Sequence, residues 1–296
     1  MGKGSVDENL PNFVGLFAGD GSRPDIRTAF ESSDMILTIG NIKSELNTAG
    51  FTYNFSKLNT IEIHYDFVEI GHARFDKVFV RSLVPRLVAA VDPTRMSHTA
   101  RVIPTIKPTP VVTSEDDAIS HAWFWPTISQ FLQEGDLIVT ETGTSYIGLG
   151  ISTCPRELGY GVGATQSVAL AGKDGDGGQR TISFEGDEWL PESFQLTTQE
   201  LATIIHHKLD VAMFLIELDG YTIWQYAKLS EVLSPTGQET QVKTWNISSR
   251  KEIDAFLKTE AFALGKGLQF FDIHMPKLDA LQALIDCGKG AGARVG

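Results

Sequence analysis

Residues 181–223 (TISFEGDEWLPESFQLTTQELATIIHHKLDVAMFLIELDGYTI) hold the side chains best placed to do chemistry. They read as a strand, a turn at Gly186-Asp187, a helix, a buried apolar strand and a second glycine-containing turn at 218–221. In a parallel sheet this order brings Asp187 and the later turn to one edge, at the carboxyl ends of the strands, where such sheets bind ligands. Neighbouring strands lie about 4.8 Å apart, so groups at their ends can share one cation. A carboxylate beside main-chain oxygens suits Mg²⁺, which takes oxygen ligands and commonly keeps phosphate oxygens among them. Free N–H groups at the start of the following helix suit a diphosphate.

Such groups need a sheet to hold them, and the chain reads as α/β throughout. Residues 24–33 read as a short helix, 34–40 (DMILTIG) as a buried strand ended by glycine, and 59–64 (NTIEIH) as a second strand. Val78, Val80, Leu83, Val84, Leu87, Val88 and Val91 recur at helical spacing. Residues 1–92 therefore form a small unit with two or three parallel strands expected. Pro93, Pro104, Pro108 and Pro110 interrupt any helix in the next stretch, so 93–117 reads as a linker. From 118 to 296 the α/β order resumes. Helix 119–132 leads to strand 136–140 and its loop 141–145 (ETGTS), then to a small-residue helix at 161–171. Strand 181–184, helix 197–207 and strand 211–216 come next, with Thr197 and Glu200 at capping-box spacing. Helix 250–262 and strand 268–274 complete the domain.

These blocks resemble a known family, the fungal thiamine-diphosphate-dependent pyruvate decarboxylases. Residues 1–53 resemble the second half of that family's middle domain. HAWFWPTISQFLQEGDLIVTETGTS (121–145) resembles the opening of its cofactor diphosphate domain; FQLTTQELATII (194–205) and DGYTI (219–223) resemble its continuation. LQFFDIHMPKLDALQALI (268–285) resembles its closing strand and tail. The resemblance implies a partial Rossmann-like middle domain over 1–92. It also implies a doubly wound parallel-sheet domain over 118–296, with internal deletions, for thiamine diphosphate and Mg²⁺. It implies cofactor contacts from Gly143, Thr144, Ser193, Tyr221, Thr222 and Ile223, and metal ligation by Asp187, Asp219 and Gly220. The reaction it implies is non-oxidative decarboxylation of a 2-oxo acid, pyruvate, to an aldehyde and CO₂. The family's subunits work as oligomers, so a homo-oligomer or a pairing with a full-length decarboxylase subunit is implied too.

The departures from the family pattern fall on the chemistry. Gly-Asp-Gly has become Gly186-Asp187-Glu188, and EWLP (188–191) puts bulk and charge where N–H groups face diphosphate. Leu218, which offers no side-chain oxygen, stands at the amide-ligand position, with Asp219 beside it as the available carboxylate. Trp224 stands where the family has a catalytic glutamate. ISTCPREL (151–158) runs straight into GYGVGA (159–164), without the segment that bends the cofactor. Residues 1–92 contain no counterpart of the family's N-terminal domain, which carries the cofactor-activating glutamate and a His-His pair. No catalytic residue is assigned. The expectation is a decarboxylase-like protein that is inactive alone, and the alternative is a non-catalytic partner of a full-length subunit. One apparent insertion and two apparent deletions between matched blocks also fit wrongly joined coding segments.

Bulk composition narrows the partners. Twenty-five Lys and Arg against 37 Asp and Glu give a net charge of −12, which repels nucleic acids and anionic membranes. Two cysteines, Cys154 and Cys287, make no disulfide framework. No apolar run reaches the about 18 residues of a membrane span. The first residues lack an apolar signal core, so a cytoplasmic location is expected. Gly19-Asp20-Gly21 with Asn47 imitates the metal motif but reads as a decoy, as does Gly175-Asp176-Gly177-Gly178. His206-His207 reads as a helix end, where imidazolium favours the dipole.

Overall fold

The computed structural model describes residues 10–44, 46–92, 116–141, 144–149, 160–175, 179–186, 199–217, 242–260 and 265–281, with a few single positions besides. The chain divides into two compact units, Met1–Lys107 with Gln282–Gly296, and Pro108–Leu281.

In the first unit, Pro24 starts helix α1 (Pro24–Glu31), where a missing N–H costs nothing. Strands β1 (Ile36–Ile39), β2 (Thr60–Ile63), β3 (Phe67–Ile70) and β4 (Ala73–Asp76) form one sheet in sequence order. Only β1 and β2 run parallel; β2–β3 and β3–β4 are antiparallel. The expected set of two or three parallel strands is thus corrected to one parallel pair extended by a meander. The reason is connection length. A parallel crossover needs a dozen or more residues, whereas the β3–β4 turn holds Gly71 at φ +58°, which suits a tight hairpin. Helix α2 (Val80–Ala90) occupies the expected apolar stretch and accommodates Pro85.

The second unit contains α3 (His121–Ser129), β5 (Leu137–Thr140), α4 (Thr144–Gly148), α5 (Tyr160–Asp174), β6 (Thr181–Gly186) and α6 (Gln199–His206). Next along the chain come β7 (Val211–Glu217), β8 (Val242–Ile247), α7 (Arg250–Leu257) and β9 (Leu268–His274). Its five strands are all parallel, in the order β5-β6-β7-β9-β8. Trp123, Phe124 and Trp125 of α3 and Ile253 and Phe256 of α7 share one apolar cluster with Ile182, Phe184, Phe214 and Phe271 of the strands. Val162 and Ala169 of α5 and Leu201 and Ile204 of α6 share a second cluster with Val211, Met213 and Leu215. Alternate residues of each strand therefore feed cores on opposite faces, which is the doubly wound arrangement.

Register supplies much of the packing. Phe184, Phe214, Phe271 and Trp245 lie level across β6, β7, β9 and β8. Their rings stack with centroids 5.1, 4.6 and 4.8 Å apart in that order. At the opposite end of the strands, Arg180 forks onto Asp136, with Nε 2.9 Å from Oδ1 and Nη2 2.6 Å from Oδ2. The same guanidinium donates to the carbonyls of Phe131 and Phe262. At Thr197 the Glu200 N–H donates to the main-chain carbonyl. A complete capping box at Ser249 and Glu252 starts α7. Strand β8, with Lys243 and Asn246 on a sheet edge, breaks the apolar run that marks buried strands, so it escapes a reading based on hydropathy.

Candidate functional site: a carboxyl pair at the strand ends

The carboxyl edge of the second unit is assembled by β5, β6 and the first turn of α5. In β6, Ile182 and Phe184 enter the aromatic core. The period of two turns Thr181, Ser183 and Glu185 to the other face. Glu141 continues β5 by one ladder bond, its N–H donating to the Phe184 carbonyl at 2.9 Å. Glu141 is 2% exposed and Glu185 1%, and the two carboxyls lie side by side against Gly161.

The partners described for them are internal. The Gly161 N–H, in the first turn of α5, donates to Glu141 Oε2 at 2.7 Å. The Ser183 hydroxyl donates to Glu185 Oε1. Thr165 Oγ1 lies 2.8 Å from both Ser183 Oγ and the Gly161 carbonyl oxygen. Burial pushes the Glu185 carboxyl up to about 8; the Ser183 hydroxyl works against this and the adjacent Glu141 carboxyl adds to it. A Cβ at 161 would lie 2.2 Å from Glu185 Oε2 and 2.7 Å from Glu141 Oε2, so any larger residue there displaces the two carboxyls. Further along the edge, Glu185 is level with Leu215 and Leu215 with Asp272, so a third carboxylate joins the row. Asp272 Oδ2 lies 3.4 Å from His274 Nε2.

Of the residues expected to hold a cofactor, Thr144 is described. It opens α4 and is 3% exposed. Ser145 beside it donates to the Glu141 carbonyl at 2.9 Å, and Gly148 lies so close to Trp125 that a Cβ would be 2.2 Å from its Cε2. Short helix α4 is thus fastened at both ends. Gly143, Asp187, Ser193, Asp219, Gly220, Tyr221, Thr222 and Ile223 lie outside the described residues, as do Glu188, Leu218 and Trp224. Glu141 and Glu185 were not among the sequence candidates. The signal for Glu185 was a carboxylate in an otherwise apolar strand end, on the same side as two hydroxyl residues.

The first decoy and the histidines have structural roles, while 176–178 of the second decoy lie outside the described residues. Asp20 forms an ion pair with Arg27, and its N–H donates to Thr52 Oγ1 at 2.8 Å. Asn47 is spent on Ser44 N and the Ile42 carbonyl, both at 2.8 Å. His206 ends α6, and the His207 carbonyl accepts from Lys173 Nζ at 2.6 Å. His121 accepts from the Trp125 indole N–H at Nδ1, and burial lowers its pKa.

At the first turn of α5 the described donors are committed within the cluster. A phosphate at a helix start is held by free N–H groups. Here the Gly161 N–H is taken by Glu141, and the hydroxyls of Ser183 and Thr165 are committed within the cluster. Among the described residues no three His, Cys, Asp or Glu side chains converge as a metal site, and no helix is long and apolar enough to cross a membrane.

Comparison with known proteins places this geometry in context. Residues 1–90 match the thiamine pyrophosphate enzyme central domain. The chain is 35% identical over 324 residues to a pyruvate decarboxylase of Aspergillus fumigatus, covering 99% of this chain and 55% of that protein. It is 34% identical over 316 residues to the Aspergillus terreus pyruvate decarboxylase, covering 96% of this chain and 53% of that protein. The chain thus spans about half the length of these relatives. Among solved structures, it resembles the Rhodococcus jostii RHA1 thiamine diphosphate-dependent 4-hydroxybenzoylformate decarboxylase in fold. That match has a TM-score of 0.55 and 16% identity over 90% of this chain and 52% of the other.

Proposed function

We propose that this chain, which belongs to the pyruvate decarboxylase family of thiamine-diphosphate enzymes, keeps the family scaffold and does not decarboxylate a 2-oxo acid by itself. The family reaction converts a 2-oxo acid such as pyruvate to an aldehyde and CO₂. Thiamine diphosphate serves there as the electron sink, held with Mg²⁺. The observation that carries the reading is the set of departures from the family pattern: Glu188, Leu218 and Trp224 stand where the family has glycine, an amide ligand and a catalytic glutamate. The organisation that goes with this reading is a middle domain over 1–92, a linker over 93–117 and a diphosphate-type domain over 118–296, in a cytoplasmic protein.

The deciding experiment is a coupled assay. Purified chain receives thiamine diphosphate, Mg²⁺ and pyruvate, and alcohol dehydrogenase with NADH reports acetaldehyde. The expected result is no NADH oxidation above the protein-free control. Sustained acetaldehyde production would overturn the proposal.

A second reading, a non-catalytic partner of a full-length decarboxylase subunit, draws support from the first unit. Leu37 and Ile39 on edge strand β1 are 42% and 53% exposed, an apolar strand surface of the kind that recruits another chain.

A further inference from the structure

We infer that strand β1, the open edge of the first sheet, pairs with the same strand of a second copy of this chain, so that two chains join antiparallel about a two-fold axis. The inference goes beyond the proposed function and holds whether or not the chain decarboxylates a 2-oxo acid.

The two edges of that sheet are built differently. β4 closes one side with an ion pair between Arg74 and Asp76, and Arg74 also approaches Glu69. Charges along an edge strand deter pairing with another chain. β1 closes the other side as Ile-Leu-Thr-Ile, with neither a charge nor a proline. A strand apolar on both faces is the pattern of a strand inside a parallel sheet, with neighbours on either side. Among the described residues β1 has one neighbour, β2. Met35, Leu37 and Ile39 are exposed, whereas Ile36 is buried.

The main chain offers matching groups. The Gly40 N–H donates to the Ile63 carbonyl at 2.8 Å. In a parallel ladder alternate residues face the same neighbour, so Ile36, Thr38 and Gly40 face β2. The N–H and C=O groups of Leu37 and Ile39 therefore point away from β2. A second β1 laid antiparallel, with Thr38 on the axis, sets Leu37 of each copy opposite Ile39 of the other. Residues opposed in this way exchange both main-chain hydrogen bonds. They also share a face, so Leu37 and Ile39 of the two copies join in one apolar patch.

Charge selects the direction. Asp34 precedes β1, and Lys43, which also pairs with Glu62, follows it. Antiparallel pairing brings Asp34 of one copy towards the Asn41-Ile42-Lys43 end of the other, whereas parallel pairing sets like charges together. An edge that complements itself under a two-fold axis forms an isologous contact, and every copy of the chain carries it. The contact is short, so the dimer is weak and reversible.

The test is self-association of the purified 296-residue chain, read by sedimentation equilibrium over a concentration series spanning the micromolar range. Wild type should pass from monomer to dimer across the series. Ile39→Pro removes an outward N–H without touching the β2 ladder, and Leu37→Lys charges the edge; each should weaken the dimer about tenfold or more. Phe75→Lys, on the β4 edge, should leave it unchanged. Thr38→Cys, combined with Cys154→Ser and Cys287→Ser, should give a covalent dimer with copper phenanthroline as oxidant. Residues on the axis occupy the closely spaced position of an antiparallel ladder, with Cα atoms about 4.5 Å apart, within disulfide reach. Circular dichroism verifies folding, and the cross-link decides where an edge variant unfolds. A wild type that stays monomeric, a dimer equally strong in Leu37→Lys and Ile39→Pro, or no cross-link through Thr38→Cys would overturn the inference. A monomer that retains a full-length decarboxylase through Leu37 and Ile39 would also overturn it and assign the edge to that partner. Acetaldehyde production bears on the proposed function alone.

Discussion

Glu185 carries most of the unusual chemistry at the residue scale. Its carboxyl is pushed up to about 8, first by burial, with Glu141 adding. In the unfolded chain the same group titrates near 4.5. Between these values the folded protein holds a proton that the unfolded chain has released, so folding takes up a proton. The contribution of Glu185 to stability is therefore complete below the unfolded value and is lost as pH rises through about 8. Glutamine does not titrate. Melting curves at about pH 5 and about pH 8 should show wild type losing more stability over that interval than Glu185→Gln. Parallel pH profiles for the two proteins would sink this assignment. Glu141 and Gly161 illustrate a related limit on sequence reading. Nothing around Gly161 in GYGVGA marks it as the point where two carboxyls from different strands press on a helix, and its necessity appears only once they are seen there.

Strands β5 and β6 are tied together at both ends, by a carboxyl pair at one and by an ion pair at the other. Arg180 and Asp136 are 9% and 4% exposed at the side chain, and the guanidinium also serves two carbonyls and lies 4.9 Å from the Phe262 ring centroid. Removing one member leaves a buried, uncompensated charge. Arg180→Ala should therefore cost about 3–5 kcal/mol in chemical denaturation, with the loss shared between the missing pair and the missing packing on Phe262. A cost below about 1 kcal/mol, the level of an exposed pair, would show that the site relaxes into solvent. The helices and buried strands of this unit were legible because each repeats an apolar pattern locally. Strands β6, β7 and β9 stand out as apolar runs. Strands β3, β4 and β8 did not, because edge and hairpin strands carry charged or polar residues on an open face, as in Ala73–Asp76 (ARFD), where every residue is exposed.

The whole molecule combines an acidic surface with an exposed apolar edge. A net charge of −12 keeps like chains apart over a Debye length. Leu37 and Ile39, together with Met35 at 64% exposure, nevertheless present apolar surface along one edge of the first unit. If the chain works as a partner of a full-length decarboxylase subunit, tagged chain co-expressed with that subunit should retain it through affinity purification and change its specific activity. Elution of the tagged chain alone, with the subunit's activity unaltered, would sink the partner reading and leave the inactive-scaffold reading standing.

The sequence by itself determined the α/β class, the buried strands, the succession of parallel strand and helix beyond residue 118, and the family resemblance. Each of these is written in local periodicity or in contiguous blocks. It also led to the expectation that Gly186-Asp187 and the turn at 218–221 share one edge, because parallel order brings strand ends together; 187 and 218–221 lie outside the described residues. Only the tertiary structure decided that Asp20 and Asn47 serve a turn, that the first sheet is mixed, and that Glu141 and Glu185 meet over Gly161. The physical reason is register. A one-residue slip of β6 against β7 would turn Glu185 to the aromatic face, and no local pattern fixes that register. It is set by the level row of Phe184, Phe214, Phe271 and Trp245, contributed by four separate stretches of chain.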